Sequence, residues 1–208
     1  MIRRRGALFV VSAPSGAGKT TLCREARRLL PDLAYSVSYT TRAPRPGEIE
    51  GTDFHFVTEA VFQDLRARGE FAEWATVHGN LYGTRARILE AAWREGRDIL
   101  LDIDTQGAAQ LRRRYPEAVL VFIVAPSMAE LEQRLRERRS DAAGEITRRL
   151  DRAREEIRMW RQYDYLIVNR DVKDAVEQLT AIIMAERSRT FRLTLTLPDV
   201  TDTRTEDC

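Results

Sequence analysis

An α/β fold with a parallel central sheet is what this sequence predicts, on three observations. Four segments are apolar runs: residues 7–11 around Leu8-Phe9-Val10-Val11, then Ile99 to Ile103, broken only by Asp102, Val119 to Val124 and Tyr165 to Val168. Helical spacing runs through Lys19 to Leu30, Gln106 to Arg114 and Val172 to Arg187. The first strand and first helix are joined by a glycine-rich loop, SAPSGAGKTT, from Ser12 to Thr21. A strand with no polar face has to be covered on both sides. A crossover helix that packs back on the sheet does this and leaves successive strands parallel.

The remaining elements follow from local signals. Pro31 and Pro116 end the first two helices, because proline has no N–H to continue the ladder. Ser127-Met128-Ala129-Glu130 has the spacing of a capping box, which marks a helix start. Between residues 35 and 83 the pattern changes to alternation in YSVSYTT, TDFHFV and EWATVHGNLYG. These read as strands of an inserted antiparallel lobe, with a short helix near 59–68 and a hairpin turn at Gly79-Asn80. Residues 127–162 are almost all helical and dense in Arg and Glu, as in a solvated helical pair or a cover over an anionic site. From Thr190 onward the chain is polar, broken by Pro198, and reads as disordered apart from RLTLTL.

Composition excludes several classes of function. At 208 residues, 43% hydrophobic and 32% charged, the chain suits one substantial core with smaller attached lobes. A formal net charge of +2 argues against a nucleic-acid binder covered in one sign, so anion recognition has to be local. Arg3-Arg4-Arg5 reads as a solvated end ahead of the first strand. Cys23 and Cys208 provide neither a disulfide framework nor a four-ligand metal site, and with only His55 and His78 there is little basis for zinc or histidine-triad chemistry. No run approaches the roughly 18 to 20 apolar residues of a membrane span, and no signal peptide is evident, so a cytoplasmic protein without membrane or nucleic-acid partners is expected. A homo-oligomer is compatible with the sequence.

The glycine loop carries the clearest chemistry. Residues Ala13 to Thr20 follow G-x-x-x-x-G-K-[ST], with Ala13 at the first glycine position. Gly16 and Gly18 free the backbone to turn its N–H groups inward at the positive end of the following helix, making a nest for phosphate. Of the 34 Lys and Arg residues only Lys19 and Lys173 are lysine, so a lysine here breaks the chain's own preference. An ammonium is a compact point charge suited to the β and γ phosphates in a narrow loop, where the planar guanidinium fork fits poorly. The Thr20 hydroxyl is a Mg²⁺ ligand in such loops. Asp102 and Asp104 end a core strand, where open parallel sheets collect ligands, and their spacing of two puts both on one side of it. Asp102 there can hold Mg²⁺ through water.

A second anion site is suggested by SVSYTTRAPRPGE, Ser36 to Glu48. Arg42 and Arg45 stand three apart on a backbone stiffened by Pro44 and Pro46, a preorganised clamp for a monoester phosphate. The loop, this segment, GNLYGT at 79–84, LDIDTQG at 101–107, LEQRLRERR at 131–139 and DYLIVN at 164–169 together resemble the bacterial guanylate kinases, over about residues 6–190.

The resemblance implies ATP-dependent, Mg²⁺-assisted phosphorylation of GMP, and of dGMP, to the diphosphate. It also implies a P-loop NTPase core of about 6–34, 85–126 and 163–190, a mixed β/α GMP-binding lobe of about 35–84, and a helical lid of about 127–162, with 191–208 as a polar tail. By similarity, Ala13, Pro14, Ser15, Gly16, Ala17, Gly18, Lys19, Thr20 and Thr21 bind ATP, with Arg134, Arg138 and Asn169. Thr20 and Asp102 attend the metal. Ser38, Glu73, Thr84 and Asp104 surround guanine and ribose, while Arg42, Arg45 and Tyr82 hold the GMP phosphate and Glu48 orients the arginines. Lys19, Arg42, Arg138 and Arg149 are the residues implied to act on the transferring phosphoryl group.

Guanine chemistry fits this assignment. N1–H and the exocyclic amine are donors that call for a carboxylate, and O6 calls for a hydroxyl or N–H; adenine would set its N1 lone pair against the carboxylate and leave buried groups unpaired. Two departures from the family stand out. Phe54 occupies a position where relatives carry a phosphate-binding tyrosine, which implies weaker GMP binding, and Arg136-Glu137-Arg138-Arg139 replaces an R-G-R-G lid turn. Two other readings remain open at the level of sequence: a binding module of the same fold without turnover, and a P-loop kinase for another phosphorylated acceptor. The retained Lys19, Arg42 and Arg45 argue against the first, and Glu73 with Thr84 against the second.

Overall fold

The computed structural model describes residues 2–77, 79–137 and 143–196. The chain opens with β1 (Ile2–Arg4), β2 (Leu8–Ser12), α1 (Lys19–Leu29), β3 (Ala34–Tyr35), β4 (Tyr39–Thr40) and β5 (His55–Phe56). It continues through α2 (Glu59–Ala67), β6 (Phe71–Val77), β7 (Asn80–Arg85), α3 (Ala86–Arg94), β8 (Ile99–Asp102), α4 (Thr105–Arg114) and β9 (Val119–Val124). It ends with α5 (Met128–Glu137), α6 (Ala143–Arg158), a 3-10 turn at Met159–Gln162, β10 (Tyr165–Val168), α7 (Val172–Arg187) and β11 (Leu193–Leu195).

The expected parallel sheet is present, with strand order β10-β9-β2-β8-β3 and every pair parallel. β2 is buried along its whole length, and alternate residues feed two cores. Phe9 and Val11 pack with Leu22 of α1, Leu131 of α5 and Leu179 of α7, whereas Leu8 and Val10 pack with Leu89 of α3 and Leu111 of α4. This is a doubly covered α/β sheet, and the location rule puts ligands at the C-terminal ends of its strands.

The inserted region differs from expectation in three ways. YSVSYTT is not one strand: Tyr35 pairs with Leu100 in the core sheet, and Tyr39 and Thr40 begin the second one. That second sheet, ordered β5-β4-β7-β6, is mixed rather than antiparallel, because β4 and β5 run parallel. Asn80 already pairs with Val77 and so belongs to the strand rather than to the turn, while Gly79 has a φ of 78°. Helix α3 follows β7 directly; it has no side-chain cap, and no start signal announces it.

The helical region 127–162 is not simply a solvated pair. Leu131, Leu135, Ile146, Leu150 and Ala153 join the buried cluster on the α1 and α7 face of the sheet. Of the expected capping box, one half forms: Ser127 Oγ accepts from the Glu130 amide at 3.1 Å, while the Glu130 carboxylate turns to Arg134.

The N-terminal arginines are also not merely a solvated end. Ile2 to Arg4 pair antiparallel with Leu193 to Leu195, which accounts for the strand-like RLTLTL. Arg4 forms an ion pair with the fully buried Asp98 carboxylate. Asp98 also accepts from the Ala7 amide at 2.9 Å and from Arg187 Nε at 2.7 Å, tying the first strands to α7. Among the described residues no helix is long and apolar enough to cross a membrane.

Candidate active site

β2 ends at Ser12, and the chain turns through the glycine loop into α1. Gly16 and Gly18 have φ of 93° and 95°, a left-handed conformation that admits the loop's inward turn. Gly18 is also the N-cap of α1 and offers no side chain to the helix amides, which stay available to an anion. A Cβ on Gly16 would stand 3.1 Å from Leu135 Cδ2, and one on Gly18 would run into the Asn169 amide. The loop is braced from behind: Asn169 Nδ2 donates to the Ala17 carbonyl at 2.8 Å. Asn169 is 1% exposed and its own carbonyl accepts from Arg134 Nη2 at 2.9 Å, so Asn169, Arg134 and Ala17 form the floor of the loop and do not line the cleft above it. Thr21, in the first turn of α1, is likewise outside the lining.

Lys19 reaches across to the end of β8. Its ammonium lies 2.5 Å from Asp102 Oδ1 and donates to the Ile103 carbonyl at 2.9 Å. Burial alone would lower its pKa, but the Asp102 charge and hydrogen bond outweigh that and raise it, so it stays a cation. Thr20 Oγ1 lies 3.4 Å from the other Asp102 oxygen. Lysine, threonine hydroxyl and aspartate thus converge at one point. Cys23, one turn along α1, is buried and its thiol is pushed up by burial, which keeps it a neutral packing residue.

Above the loop is a cleft of about 250 Å³. It is lined by Ala13, Pro14, Ser15, Gly16, Gly18, Lys19 and Thr20 from the loop, by Arg45 and Val77 from the second sheet's region, by Asp104, and by Arg149, Arg152 and Glu156 of α6. Arg149 Nη2 donates to Ser15 Oγ at 2.8 Å. Arg138 lies outside the described residues. Arg152 and Glu156 are functional candidates that the sequence reading passed over; their signal was helical spacing, since Arg152 stands three residues after Arg149 and four before Glu156 on one face.

Arg42 and Arg45 are organised by one carboxylate. Arg42 Nη2 donates to both Glu48 oxygens, at 2.7 and 2.9 Å, and the Arg45 amide donates to Glu48 Oε2 at 2.7 Å. Burial pushes Glu48 up, but these hydrogen bonds prevail and hold its pKa below the usual range. Arg42 Nε also donates to the Tyr82 hydroxyl at 3.2 Å. Phe54 packs against this group, its ring 5.4 Å from the Arg42 guanidinium carbon and 5.8 Å from the Tyr82 ring. It provides a wall and a cation–π surface but no hydrogen bond.

Glu73 is 3% exposed and faces Thr84 across the β6–β7 ladder. Burial raises its pKa to about 7 against the Thr84 hydrogen bonds, which lower it, and the Asp104 charge adds to the rise. Ser38 Oγ and Thr84 Oγ1 are 3.3 Å apart, so one carboxylate and two hydroxyls line this buried corner. The corner is held against α4 by groups that no motif pointed to. Gln110 bonds both backbone groups of Trp74, at 3.2 and 2.7 Å. Gly107 leaves room for the Glu73 carboxylate, since a Cβ there would overlap its oxygen and stand 3.0 Å from its Cδ. Asp104 caps α4 through Gly107 N at 2.9 Å and borders both the corner and the cleft.

Comparisons with known proteins bear on the chain as a whole. The family model described as guanylate kinase matches residues 5–186. The chain is 56% identical over 192 residues to the guanylate kinase of Syntrophotalea carbinolica, covering 92% of this chain and 91% of the relative. It is 52% identical over 198 residues to that of Geobacter metallireducens, covering 95% and 98%. The crystal structure of guanylate kinase from Anaplasma phagocytophilum superposes with a TM-score of 0.79 at 36% identity, covering 93% of this chain and 92% of that one. On family model, sequence and fold alike, the chain belongs to the guanylate kinase family, the nucleoside monophosphate kinases that phosphorylate GMP from ATP.

Proposed function

We propose that this chain transfers the γ-phosphoryl group of ATP to a phosphate oxygen of GMP or dGMP, in purine nucleotide metabolism and GMP recycling. The observation that carries the proposal is the shared cleft: Arg45, from the segment of paired arginines, lines the same space as the glycine loop, Lys19 and Thr20. Two phosphate-recognising devices that open on one cleft fit two nucleotides meeting end to end.

In this reading the loop amides and Lys19 hold the ATP phosphates, and Arg149, beside Ser15, covers the transferring group. Arg42 and Arg45, oriented by Glu48, hold the GMP phosphate with Tyr82. Glu73 takes the guanine N1–H and amine, with Ser38 and Thr84 as the hydroxyl partners of the base and Asp104 at its ribose side. Because base recognition rests on the purine edge, the 2′-deoxy substrate is accepted as well.

The oxygen donors Thr20 and Asp102 suit a hard cation that keeps several waters and phosphate oxygens; among the described residues no all-protein cage of His, Cys, Asp and Glu forms. Mg²⁺ held there would neutralise phosphate charge. In the displacement a GMP phosphate oxygen bonds to the γ phosphorus as the bond to the β-bridging oxygen breaks, and ADP leaves with that electron pair. The acceptor is already an anion and needs no strong base, so positioning and charge neutralisation by Lys19 and the arginines carry the catalysis.

Release of ADP, measured with GMP, dGMP, AMP, CMP and UMP in turn, tests this. GMP and dGMP should be preferred by at least about a hundredfold. Turnover with none of them would identify a binding module, and preference for another base would identify a different kinase. Chelation with EDTA should abolish turnover, and added Mg²⁺ should restore it.

A further inference from the structure

Arg152 is the one cleft-lining arginine of α6 that resemblance did not assign. Its neighbours set it apart from Arg149. Where Arg149 donates to the glycine loop, Arg152 is bracketed by two carboxylates: Nε donates to Glu156 Oε1 at 2.9 Å, and Nη2 lies 3.6 Å from Asp104 Oδ2. A guanidinium whose charge is already met by two carboxylates has less to offer a phosphate. The Glu156 bond also fixes the side chain along α6, so its free end is aimed at Asp104.

Asp104 is the receiving group, and each of its oxygens is committed. Oδ1 caps α4 at the Gly107 amide, at 2.9 Å, and Oδ2 accepts from Gln106 Nε2 at 3.0 Å on the side that Arg152 approaches. Gly107 in turn abuts the Glu73 carboxylate. A line of contacts therefore runs from α6, over the glycine loop, through Arg152 and Asp104 to the buried corner at Glu73.

We propose that Arg152 is a positioning residue: it holds the Asp104 carboxylate from across the cleft and so couples the seating of α6 to the geometry of the guanine-side pocket. This rests on the proposed GMP phosphorylation, and it adds a residue that acts on GMP through Asp104 rather than by touching phosphate.

A double-mutant cycle tests it, read as kcat/KM and KM for GMP and for ATP. Asn is as good an N-cap as Asp, so Asp104→Asn keeps α4 capped while removing the charge that Arg152 meets. In the unchanged protein Arg152→Ala should lower kcat/KM for GMP about two- to fivefold, chiefly through KM for GMP, with KM for ATP nearly unchanged. In the Asp104→Asn background the same substitution should have no further effect. Arg152→Lys should recover part of the loss. An equal loss in both backgrounds, a loss confined to KM for ATP, or no loss at all would overturn the inference while leaving the kinase reading intact. Failure of the unchanged protein to turn over GMP would instead defeat the kinase reading, and this inference with it.

Discussion

At the scale of single residues, the site is a set of charges whose states the fold dictates. Glu73 is the clearest case, because burial raises its pKa to about 7. Guanine needs the carboxylate form, so binding to the free protein draws off a proton below that pH. GMP affinity should fall as pH drops through 7, approaching tenfold per unit, while Glu73→Gln should keep only the shallower dependence set by the second ionisation of the GMP phosphate near about 6, with reduced guanine preference; calorimetric titration from pH 5.5 to 8.5 checks this. The same shift bears on stability. A carboxyl whose folded pKa is raised contributes fully below its unfolded value near 4.5, and that contribution is lost as pH rises through about 7. Glu73→Gln should therefore gain stability relative to the parent between pH 4.5 and 8, on the order of 3 kcal/mol at the upper end.

Lys19 and Phe54 make complementary cases. Lys19→Ala removes the ammonium from the loop and should lower turnover by at least about a thousandfold with circular dichroism unchanged, which ADP release and a thermal melt together would check. Phe54→Tyr adds a hydroxyl next to Arg42 and Tyr82. It should lower KM for GMP about two- to tenfold, in line with one hydrogen bond to an anionic group.

At the scale of elements, what the sequence disclosed depended on whether the signal was local. The strand, glycine loop and helix from 7 to 30 were legible because apolar run, turn residues and helix start all follow one another. Lys19, Thr20 and Asp102 stood out as candidates for the same reason: the motif singles out the first two, and the strand end the third. Helix α3 was not legible, having no cap, and the first strand was masked by its arginines. YSVSYTT read as one strand because alternation does not reveal which of two sheets a residue joins. Arg152, Gly107 and Gln110 escaped because their roles exist only through tertiary contact, across 48, 34 and 36 residues of sequence to Asp104, Glu73 and Trp74 respectively. Gly107→Ala tests the packing of α4 on β6. Its methyl group would push on the Glu73 carboxylate, so guanine preference should erode and KM for GMP rise while KM for ATP holds, as steady-state kinetics across purine acceptors would reveal.

At the scale of the whole molecule, the two cores explain how the cleft stays in register. The sheet is packed on one face by α3 and α4, which carry Asp104 and abut Glu73, and on the other by α1, α5, α6 and α7, which carry Lys19 and Arg149. The cleft opens where these two halves meet at the strand ends. Away from it, Asp98 anchors the opposite end of the sheet by accepting from Arg4, Arg187 and the Ala7 amide, all at a fully buried carboxylate. Removing one partner of such a network leaves the others uncompensated, so Asp98→Ala should cost about 3 to 5 kcal/mol in urea unfolding. Its folded fraction should keep the parent's KM values, because Asp98 is remote from the cleft.

The central claim is that both nucleotides occupy one cleft, with their phosphates meeting between the glycine loop and the paired arginines. A crystal structure with GMP and a non-hydrolysable ATP analogue tests it most directly. The guanine edge should lie within hydrogen-bond reach of Glu73, and a GMP phosphate oxygen about 3 to 3.5 Å from the terminal phosphorus of the analogue. GMP bound elsewhere, or its base turned away from Glu73, would contradict it.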